Sequence, residues 1–342
     1  MDKITIAIAG YGNVGRGVEA ALKLNADTQL VAIFTRRPEL VREAVKDVPV
    51  LSIEDTVPSA VELDVVILCG GSKADTPVQG PMFAKRFNTV DSFDTHAAIP
   101  EYYQKMDEIA RMQGHVSIIA TGWDPGIFSL MRVLGDAVLP QGKQYTFWGP
   151  GVSQGHSDAA RQVNGVSDAR SYTLPIERAV ERVRSGEMPA FSKREQHQRV
   201  VYVVSETGAN REQIRQAIVT MPHYFAEYNT EVIFITQEEM AARHSSLPHG
   251  GFVFASGVTG KGISEVTGTG TSEVIGKENR HVLEYRCQLE SNPEFTGNVL
   301  VAFARAAHRL STEGRSGAFT VLDIPPRYLS PHAAATLRQD FL

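Results

Sequence analysis

Apolar and polar positions follow two different patterns along this chain of 342 residues. Up to residue 123, short apolar runs alternate with segments whose apolar residues recur at helical spacing. Such alternation is typical of parallel strands joined by helices. It predicts strands over residues 4–9, 30–34, 48–53, 61–71, 88–92 and 116–121, and helices over residues 16–24, 38–47, 77–86 and 100–113.

Beyond residue 123 the apolar runs are longer and richer in residues that favour strands. Strands are expected over residues 199–205, 230–235, 251–257 and 281–290, and helices over residues 128–139, 176–185, 212–219 and 238–244. A mostly antiparallel sheet with helices on one face, an α+β domain, accounts for this pattern. The Gly-, Thr- and Ser-rich stretch 256–279 is expected to form an extended hairpin or a mobile loop.

The first predicted strand runs into a glycine turn and then a helix. The turn consists of Gly10, Tyr11, Gly12, Asn13, Val14 and Gly15. The first glycine permits the sharp turn, the second lets the backbone approach phosphates, and the third lets helix and strand pack closely. The N–H groups at the start of the helix then bind a pyrophosphate. This order predicts a dinucleotide-binding site; the alternative is an ordinary tight turn.

Two further segments indicate which dinucleotide binds and where its nicotinamide lies. Arg36 and Arg37 follow the second strand, where an NAD-binding domain usually has an acidic residue. Their charge suits the 2'-phosphate of NADP, and the alternative is a solvated surface pair. A second glycine turn ends the strand over residues 61–71 and is predicted to border the nicotinamide; it consists of Cys69, Gly70, Gly71 and Ser72.

The predicted fold is therefore an α/β Rossmann-type dinucleotide-binding domain with a second α+β domain on a mostly antiparallel sheet. The NADP-binding domain is placed at residues 1–123, and the dimerisation and substrate-binding domain at residues 124–298. An alanine-rich amphipathic helix begins near residue 299, and the segment 299–330 is expected to return to the first domain.

Composition narrows the class of partner. The net charge is −5 and no block of lysine or arginine occurs, which argues against nucleic acid and against a polybasic membrane contact. No apolar stretch is long enough for a membrane span, and no signal peptide is recognised. The two cysteines, Cys69 and Cys287, lie in apolar runs and are expected to be buried thiols in a reducing cytoplasm. The ten histidines show no zinc spacing, so no metal is expected.

Acidic and aromatic residues concentrate near the predicted strand ends, in residues 91–96, 121–126 and 147–158. Trp123 and Trp148 suit the wall of a substrate pocket, and alternatively fill the junction between domains. Asp94 and Asp124 suit an ammonium group, and either one, or a bound water, takes the proton as hydride leaves carbon. The alternative for each is a helix N-cap, with Pro125 as the first helical residue after Asp124.

At these residues the chain resembles the meso-diaminopimelate dehydrogenase family. The matching segments span almost the whole chain: residues 10–15, 91–94, 122–126, 147–151, 153–158, 221–222, 248–251, 292–293, 306–309 and 317–320. The resemblance implies NADP-dependent, reversible oxidative deamination at the D-centre of meso-2,6-diaminopimelate. The products are L-2-amino-6-oxopimelate, ammonia and NADPH, and the protein is expected to be a homodimer. Residues 256–279 depart from the family pattern, being longer and richer in Gly and Thr.

The resemblance also implies roles for individual residues. Asp94 and Asp124 face the reacting amine, Trp123 and Trp148 line the pocket, and Gln154 and Asp158 lie near the reacting end. The distal L-configured end is held by Thr173, Arg199, His249 and Asn292. Two alternatives stay open: an NADP-dependent oxidoreductase that acts on another amino acid or a semialdehyde, and an NADP-binding sensor without turnover.

Overall fold

The structure is a computed structural model, and it describes residues 3–55, 62–260, 265–266, 272–273 and 278–342. The chain divides into two compact units, one formed by Met1–Leu130 with Pro293–Leu342 and the other by Met131–Asn292.

The helices and strands follow one another in this order. The first unit begins with β1 (Ile4–Ala9), α1 (Asn13–Leu24), β2 (Thr28–Thr35), α2 (Pro38–Ala44), β3 (Val50–Ser52), β4 (Val65–Leu68), α3 (Thr76–Ala84), β5 (Asn88–Asp91), α4 (Ile99–Gln113), β6 (Val116–Ile118) and α5 (Ile127–Val138). Then come β7 (Lys143–Trp148), β8 (Gly151–Val152), α6 (Gln154–Arg161), β9 (Val166–Pro175), α7 (Glu177–Arg184), α8 (Lys193–Gln196), β10 (His197–Ser205), α9 (Arg211–Val219), β11 (Asn229–Phe234), α10 (Gln237–Arg243), β12 (His249–Thr259), β13 (Glu265–Val266), β14 (Ser272–Glu273) and β15 (Asn279–Leu289). The chain ends with α11 (Asn292–Thr312), β16 (Gly317–Phe319) and α12 (Ala334–Phe341).

The first unit contains a parallel sheet. Within the described residues it has seven strands in the order β16-β6-β5-β4-β1-β2-β3, and every neighbouring pair runs parallel. The chain winds outward from β1 to β3 and then returns to β4 on the other side of β1. The order of strands therefore reverses between β1 and β4, and ligands bind at such a reversal in open α/β sheets.

Helices cover both faces of this sheet. On one face Ile6 and Ile8 of β1 join a core cluster with Val18 of α1 and Leu300 of α11. On the other face Phe34 of β2 meets Phe83 of α3, with ring centroids 5.2 Å apart. Burial on both faces explains why the strands are near-continuous apolar runs in the sequence. The helix expected from residue 299 does pack on this sheet, and the short strand β16, which the sequence analysis did not predict, extends it.

The second unit contains two main sheets where the sequence analysis expected one. In the described residues, the order β11-β10-β9-β8 forms one sheet and the antiparallel order β15-β12-β7 forms the other. Only the pair β10–β11 runs parallel in the first of these. The expected α+β domain of mostly antiparallel strands is confirmed, but its strands form two sheets because β7 pairs with β12 while β8, three residues later, pairs with β9.

The two cut points between the units lie inside helices, since α5 crosses 130/131 and α11 crosses 292/293. The sequence analysis placed these boundaries at 123/124 and 298/299. The expected hairpin or loop over residues 256–279 falls largely on residues 261–264, 267–271 and 274–277, which lie outside the described residues. No helix in the described part of the chain is long and apolar enough to cross a membrane.

Candidate active site

A cavity of about 470 Å³ opens at the carboxyl ends of β1, β2 and β4 in the first unit. Its lining consists of Gly10, Tyr11, Gly12, Arg16, Thr35, Arg36, Arg37, Leu40, Val41, Ala44, Ile53, Cys69, Gly70, Gly71, Asp75 and Gln79. The lining includes residues of both glycine turns and the arginine pair, together with residues of α1, α2 and α3. The structure thus brings together the segments that the sequence analysis assigned to a dinucleotide.

The first glycine turn has the geometry that the sequence motif requires. Gly10 has a φ of +98°, and a Cβ atom on Gly15 would lie 2.2 Å from the carbonyl oxygen of Gly10. Glycine at both positions therefore lets α1 begin directly behind the turn. The first turn of α1 carries no acidic side chain. Its free N–H groups at Asn13 and Val14 make an anion-binding helix start.

The arginine pair follows β2 at the rim of this cavity. Both side chains are exposed, and Arg36 forms an ion pair with Asp75, with Nη1 3.0 Å from Oδ1. Asp75 is itself fixed, because its Oδ2 accepts the N–H of Gly71 at 3.1 Å. Asp75 was not predicted as part of the site. The Asp75 carboxylate holds the Arg36 guanidinium beside the cavity. The positive charges of Arg36 and Arg37 at this position suit an anionic group.

The second glycine turn connects this cavity to the acidic segment after β5. The hydroxyl of Ser72 accepts the N–H of Asp94 at 3.1 Å and lies 3.4 Å from the carbonyl oxygen of Ser92. Asp94 itself is exposed. The expectation that Cys69 is buried was wrong, since it is partly exposed and lines the cavity, whereas Cys287 is buried.

The tryptophan and aspartate that precede α5 lie in a tight turn of the first unit. Trp123 is buried and packs edge to face on Phe128, with ring centroids 5.1 Å apart. Asp124 follows it, and α5 begins only at Ile127. The alternative in which Pro125 opens the helix is therefore wrong.

A buried guanidinium is the main polar feature of the second unit. Arg199 on β10 is 7% exposed, and its Nη1 donates to the hydroxyl of Thr173, its register partner on β9. The guanidinium carbon lies 4.3 Å from the ring centroid of Tyr228. Among the described residues its Nε has no hydrogen-bond partner. Burial lowers the pKa of Arg199, and its interaction with Tyr228, which includes a hydrogen bond, partly opposes this shift.

Two neutral histidines surround this arginine. Burial, and then the nearby Arg199 charge, lower the pKa of His156 and of His197 to about 4. The Nε2 atom of His197 accepts the backbone N–H of Trp148 at 2.9 Å, and the imidazole stacks on the indole at 5.4 Å. Since neither histidine carries charge at neutral pH, Arg199 is a buried cation without a compensating carboxylate among its described neighbours. A buried cation of this kind binds an anion.

Of the remaining predicted residues of the second unit, all but Asp158 lie at the starts of elements. Gln154 begins α6, and Asp158 on the same helix pairs with Arg161. His249 begins β12 and lines a cavity of about 320 Å³ with Tyr172, Phe252 and Arg286. Asn292 begins α11, and its N–H donates to the carbonyl of Leu247 at 3.0 Å.

The predicted site residues thus fall into two groups. The first unit holds Asp94, Trp123, Asp124 and the whole cofactor set, and the second unit holds Trp148, Gln154, Asp158, Thr173, Arg199, His249 and Asn292. Two aromatic residues of this region were not predicted from the sequence. Tyr228 contacts Arg199, and His197 contacts Trp148. His197 carried a readable signal, since it lies two residues before Arg199 on one strand face. Tyr228 carried none, because it reaches Arg199 from outside the strand.

The comparison with known proteins covers the whole chain. A meso-diaminopimelate D-dehydrogenase of Lysinibacillus sphaericus is 52% identical over 342 residues, which is all of both chains. The chain belongs to the meso-diaminopimelate D-dehydrogenase family. Residues 122–270 match the diaminopimelic acid dehydrogenase C-terminal domain.

Two solved structures of similar chains carry ligands. One is a sextuple mutant of the Clostridium tetani E88 meso-diaminopimelate dehydrogenase with DAP; it is 49% identical, has a TM-score of 0.86, and the match covers 99% of this chain and 100% of that one. The other is an engineered D-amino acid dehydrogenase bound to NADP+, 40% identical with a TM-score of 0.82, at 99% and 100% coverage. Six residues are replaced in the first of these proteins. At five of these positions the present chain has the same residue type under the same number as the residue replaced there: Gln154, Thr173, Arg199, Pro248 and His249.

Proposed function

We propose that this protein catalyses the NADP-dependent, reversible oxidative deamination of meso-2,6-diaminopimelate at its D-centre. The products are L-2-amino-6-oxopimelate, ammonia and NADPH. The observation that carries the proposal is the buried Arg199 with Thr173, which suits one carboxylate of a substrate that has a carboxylate at each end. Membership of the family supports the same substrate.

The cofactor cavity fits NADP. The start of α1 offers backbone N–H groups without a competing acidic side chain, which suits a pyrophosphate. Arg36 and Arg37 stand after β2, where a ribose-binding acid would otherwise lie, and suit a 2'-phosphate. When bound, the cofactor supplies the acceptor for a hydride. The role of the Gly10–Gly15 turn and of Cys69, Gly70, Gly71 and Ser72 is to hold this cofactor at the carboxyl ends of the strands.

The chain's own residues bind and orient the substrate. Arg199 and Thr173 hold the distal carboxylate, and His249 and Asn292 are assigned to the same L-configured end. Asp94 and Asp124 attract the ammonium group of the reacting end, and the loss of its proton prepares the D-carbon for oxidation. Trp123, Trp148, Gln154 and Asp158 are assigned to this end of the pocket. Fixing both ends selects the meso isomer, because only that isomer offers an L-centre to the distal end and a D-centre to the reacting end.

The active protein is further proposed to be a homodimer in the cytoplasm. An exposed apolar stripe on α5, formed by Val133, Leu134 and Val138, supports a protein partner for this helix. The free thiols Cys69 and Cys287 support a reducing compartment. The mass in solution from light scattering and the distribution after cell fractionation test these two assignments.

The deciding experiment follows the absorbance of reduced nicotinamide when the purified protein meets a diaminopimelate isomer and a cofactor. The meso and L,L isomers are each combined with NADP and with NAD. We expect rapid reduction only with meso-diaminopimelate and NADP, together with release of ammonia. Absence of reduction in every combination, in a sample that binds NADPH, overturns the proposed reaction.

A further inference from the structure

A buried carboxylate ties together the two loops that carry Asp94 and Asp124. Asp91 is the last residue of β5 and is fully buried. Its Oδ1 accepts two backbone N–H groups, those of Phe93 and Ala120, each at 3.0 Å. Its backbone oxygen accepts the N–H of Thr121 at 2.8 Å. One residue therefore contacts both the loop after β5 and the loop after β6.

The bonded groups lie close to the predicted reacting end. Phe93 directly precedes Asp94, and Ala120 and Thr121 precede Trp123 and Asp124 by only a few residues. Ala120 has a φ of +54°, a left-handed conformation that alanine rarely adopts. Its N–H bond to Asp91 holds the backbone in this conformation and so sets the direction in which the loop leaves β6.

The second oxygen of Asp91 is fixed from α4. Its Oδ2 accepts the hydroxyl of Tyr102 at 2.8 Å, and the Tyr102 ring packs on Phe93 with centroids 4.4 Å apart. The hydroxyl reaches Asp91 only because α3 has a glycine beside it. A Cβ atom on Gly80 would lie 2.1 Å from the Tyr102 hydroxyl oxygen. Three elements, α3, α4 and β5, are thus shaped around this carboxyl group.

Burial raises the pKa of Asp91 to about 6, and its three hydrogen bonds oppose that rise. A side chain that served only to fill space between β5 and the helices would be less costly as an apolar residue. Thr89 of β5 and Ser117 of β6 also form a buried hydrogen bond, at 2.9 Å, but this bond joins only the two strands. The bonds of Asp91 differ because they reach the backbone of the two loops.

We propose that Asp91 is a positioning residue that fixes the loops of Asp94 and Asp124 to each other, with Tyr102 and Gly80 fixing Asp91. The proposal rests on the proposed function, since it assigns the two aspartates to the reacting amine. Asp91 touches neither substrate nor cofactor in this role. It acts through the backbone N–H groups of Phe93 and Ala120.

The test compares Asp91→Leu, Asp91→Asn and the control Thr89→Val. Asp91→Leu leaves both N–H groups without an acceptor, and we expect kcat to fall about 100-fold, the effect of a 1 Å displacement of reacting groups. Asn retains the Oδ1 acceptor, so we expect Asp91→Asn to recover most of kcat. Thr89→Val should lower the melting temperature with kcat unchanged. In all variants the Kd for NADPH should stay at the wild-type value, because none lines the cofactor cavity.

A second set of variants serves if Asp91→Leu fails to fold. Gly80→Ala favours the α3 helix and presses on the Tyr102 hydroxyl, so we expect a lower kcat. The double variant Gly80→Ala with Tyr102→Phe removes that hydroxyl and should return kcat to the level of Tyr102→Phe alone. Tyr102→Phe alone leaves the Oδ1 bonds in place and should retain most of kcat.

The proposal is overturned if Asp91→Leu is folded with wild-type kcat, if Thr89→Val lowers kcat equally, or if the double variant shows no recovery. Failure of the proposed function would be seen separately, as a wild-type protein without diaminopimelate turnover. In that case amide exchange decides the positioning role. Faster exchange at Phe93, Ala120 and Thr121 in Asp91→Leu, with the rest of the sheet unchanged, supports it, and unchanged exchange there overturns it.

Discussion

The buried Arg199 lowers the stability of the ligand-free protein, and a bound anion compensates its charge. A buried guanidinium loses hydration that the Thr173 hydroxyl and Tyr228 only partly replace. We expect Arg199→Met to raise KM for meso-diaminopimelate about 100-fold, since a charge-assisted bidentate contact contributes about 3 kcal/mol. Steady-state kinetics and an NADPH titration check this, and the Kd for NADPH should not change.

The same substitution should make the ligand-free protein melt at a higher temperature, because an unpaired buried charge is replaced by an apolar side chain. Arg178→Met, at an exposed position on α7, is the matched control and should alter neither KM nor the melting temperature. Equal loss of substrate and NADPH binding in Arg199→Met would contradict the distal-carboxylate role.

The arginine pair after β2 should determine the choice of cofactor. Arg36 and Arg37 line the cavity, and Asp75 holds the Arg36 guanidinium in place. Replacing both arginines by Ala should raise KM for NADP about 100-fold and leave KM for NAD nearly unchanged, because two charge-assisted contacts to a phosphate are lost. Parallel kinetics with NADP and NAD measure the ratio. Lys23→Ala, on the exposed end of α1, is the control; a similar loss for both cofactors in the double variant would contradict the prediction.

How far single residues could be read from the sequence depended on how local their surroundings are. The glycine turn and Arg36 were readable because strand, turn and helix follow within a few residues. The environment of Arg199 was not, since its burial depends on β9, a strand that the sequence analysis did not predict. The partner Thr173 was named only through the family resemblance, and the register pairing with Arg199 supplies its physical reason.

At the scale of elements, α11 is attached to the parallel sheet by an ion pair between a buried arginine and a half-buried aspartate, as well as by apolar packing. Arg305 is 2% exposed; its Nε lies 2.6 Å from Asp27 Oδ2, and its Nη1 donates to the carbonyl of Leu329 at 2.7 Å. Arg305→Leu should lower the free energy of unfolding by about 2 kcal/mol, because the Asp27 carboxylate, which is 33% exposed, loses its charged partner but regains water. Chemical denaturation measures the change.

The control for this prediction is the double variant Arg305→Leu with Asp27→Asn, which removes both charges. Its stability should recover part of the loss, since no unpaired charge remains. The pKa of Asp27 lies below its ordinary value because of the hydrogen bond from Arg305, in agreement with a stabilising pair. A double variant that is less stable by the sum of both single losses would contradict a coupled pair.

Elements were predictable where pairing follows chain order. In the described residues a helix follows each of β1, β2, β4 and β5, so apolar runs and glycine turns indicated these elements. β16 was not predicted because it has only three residues and because its partner β6 is separated from it in the sequence by the whole second unit. The division of the second unit into two sheets was not predicted either, because the apolar pattern does not specify which strands pair. The structure pairs β7 with β12 and β8 with β9.

At the scale of the whole molecule, the two units differ in the ionisable groups that they bury. The second unit buries neutral His156 and His197, each with a pKa of about 4. The first unit buries Asp91, with a pKa of about 6. In the unfolded chain these groups return to ordinary values near 6.5 for His and 4 for Asp. The two kinds of shift therefore have opposite effects on stability between pH 4 and 6.5.

The signs follow from proton binding. The depressed histidine pKa values mean that the unfolded second unit binds more protons, so its stability is complete above pH 6.5 and is lost as pH falls towards 4. The raised Asp91 pKa means that the folded first unit binds the extra proton, so its stability falls as pH rises from 4 to 6. Lowering the pH from 7 to 5 should destabilise the second unit by about 2 kcal/mol per histidine and spare the first.

Amide exchange with mass spectrometry, corrected for the intrinsic effect of pH, measures both units in one sample. We expect protection to fall at β9 and β10 on acidification, while β1, β4 and β5 keep theirs. His197→Gln, which retains an acceptor for the Trp148 N–H but does not titrate here, should reduce the loss in the second unit without abolishing it, since His156 and His244, whose pKa values are also lowered, remain. Equal loss of protection in both units, or a loss that His197→Gln leaves unchanged, would contradict the assignment of the acid sensitivity to these histidines.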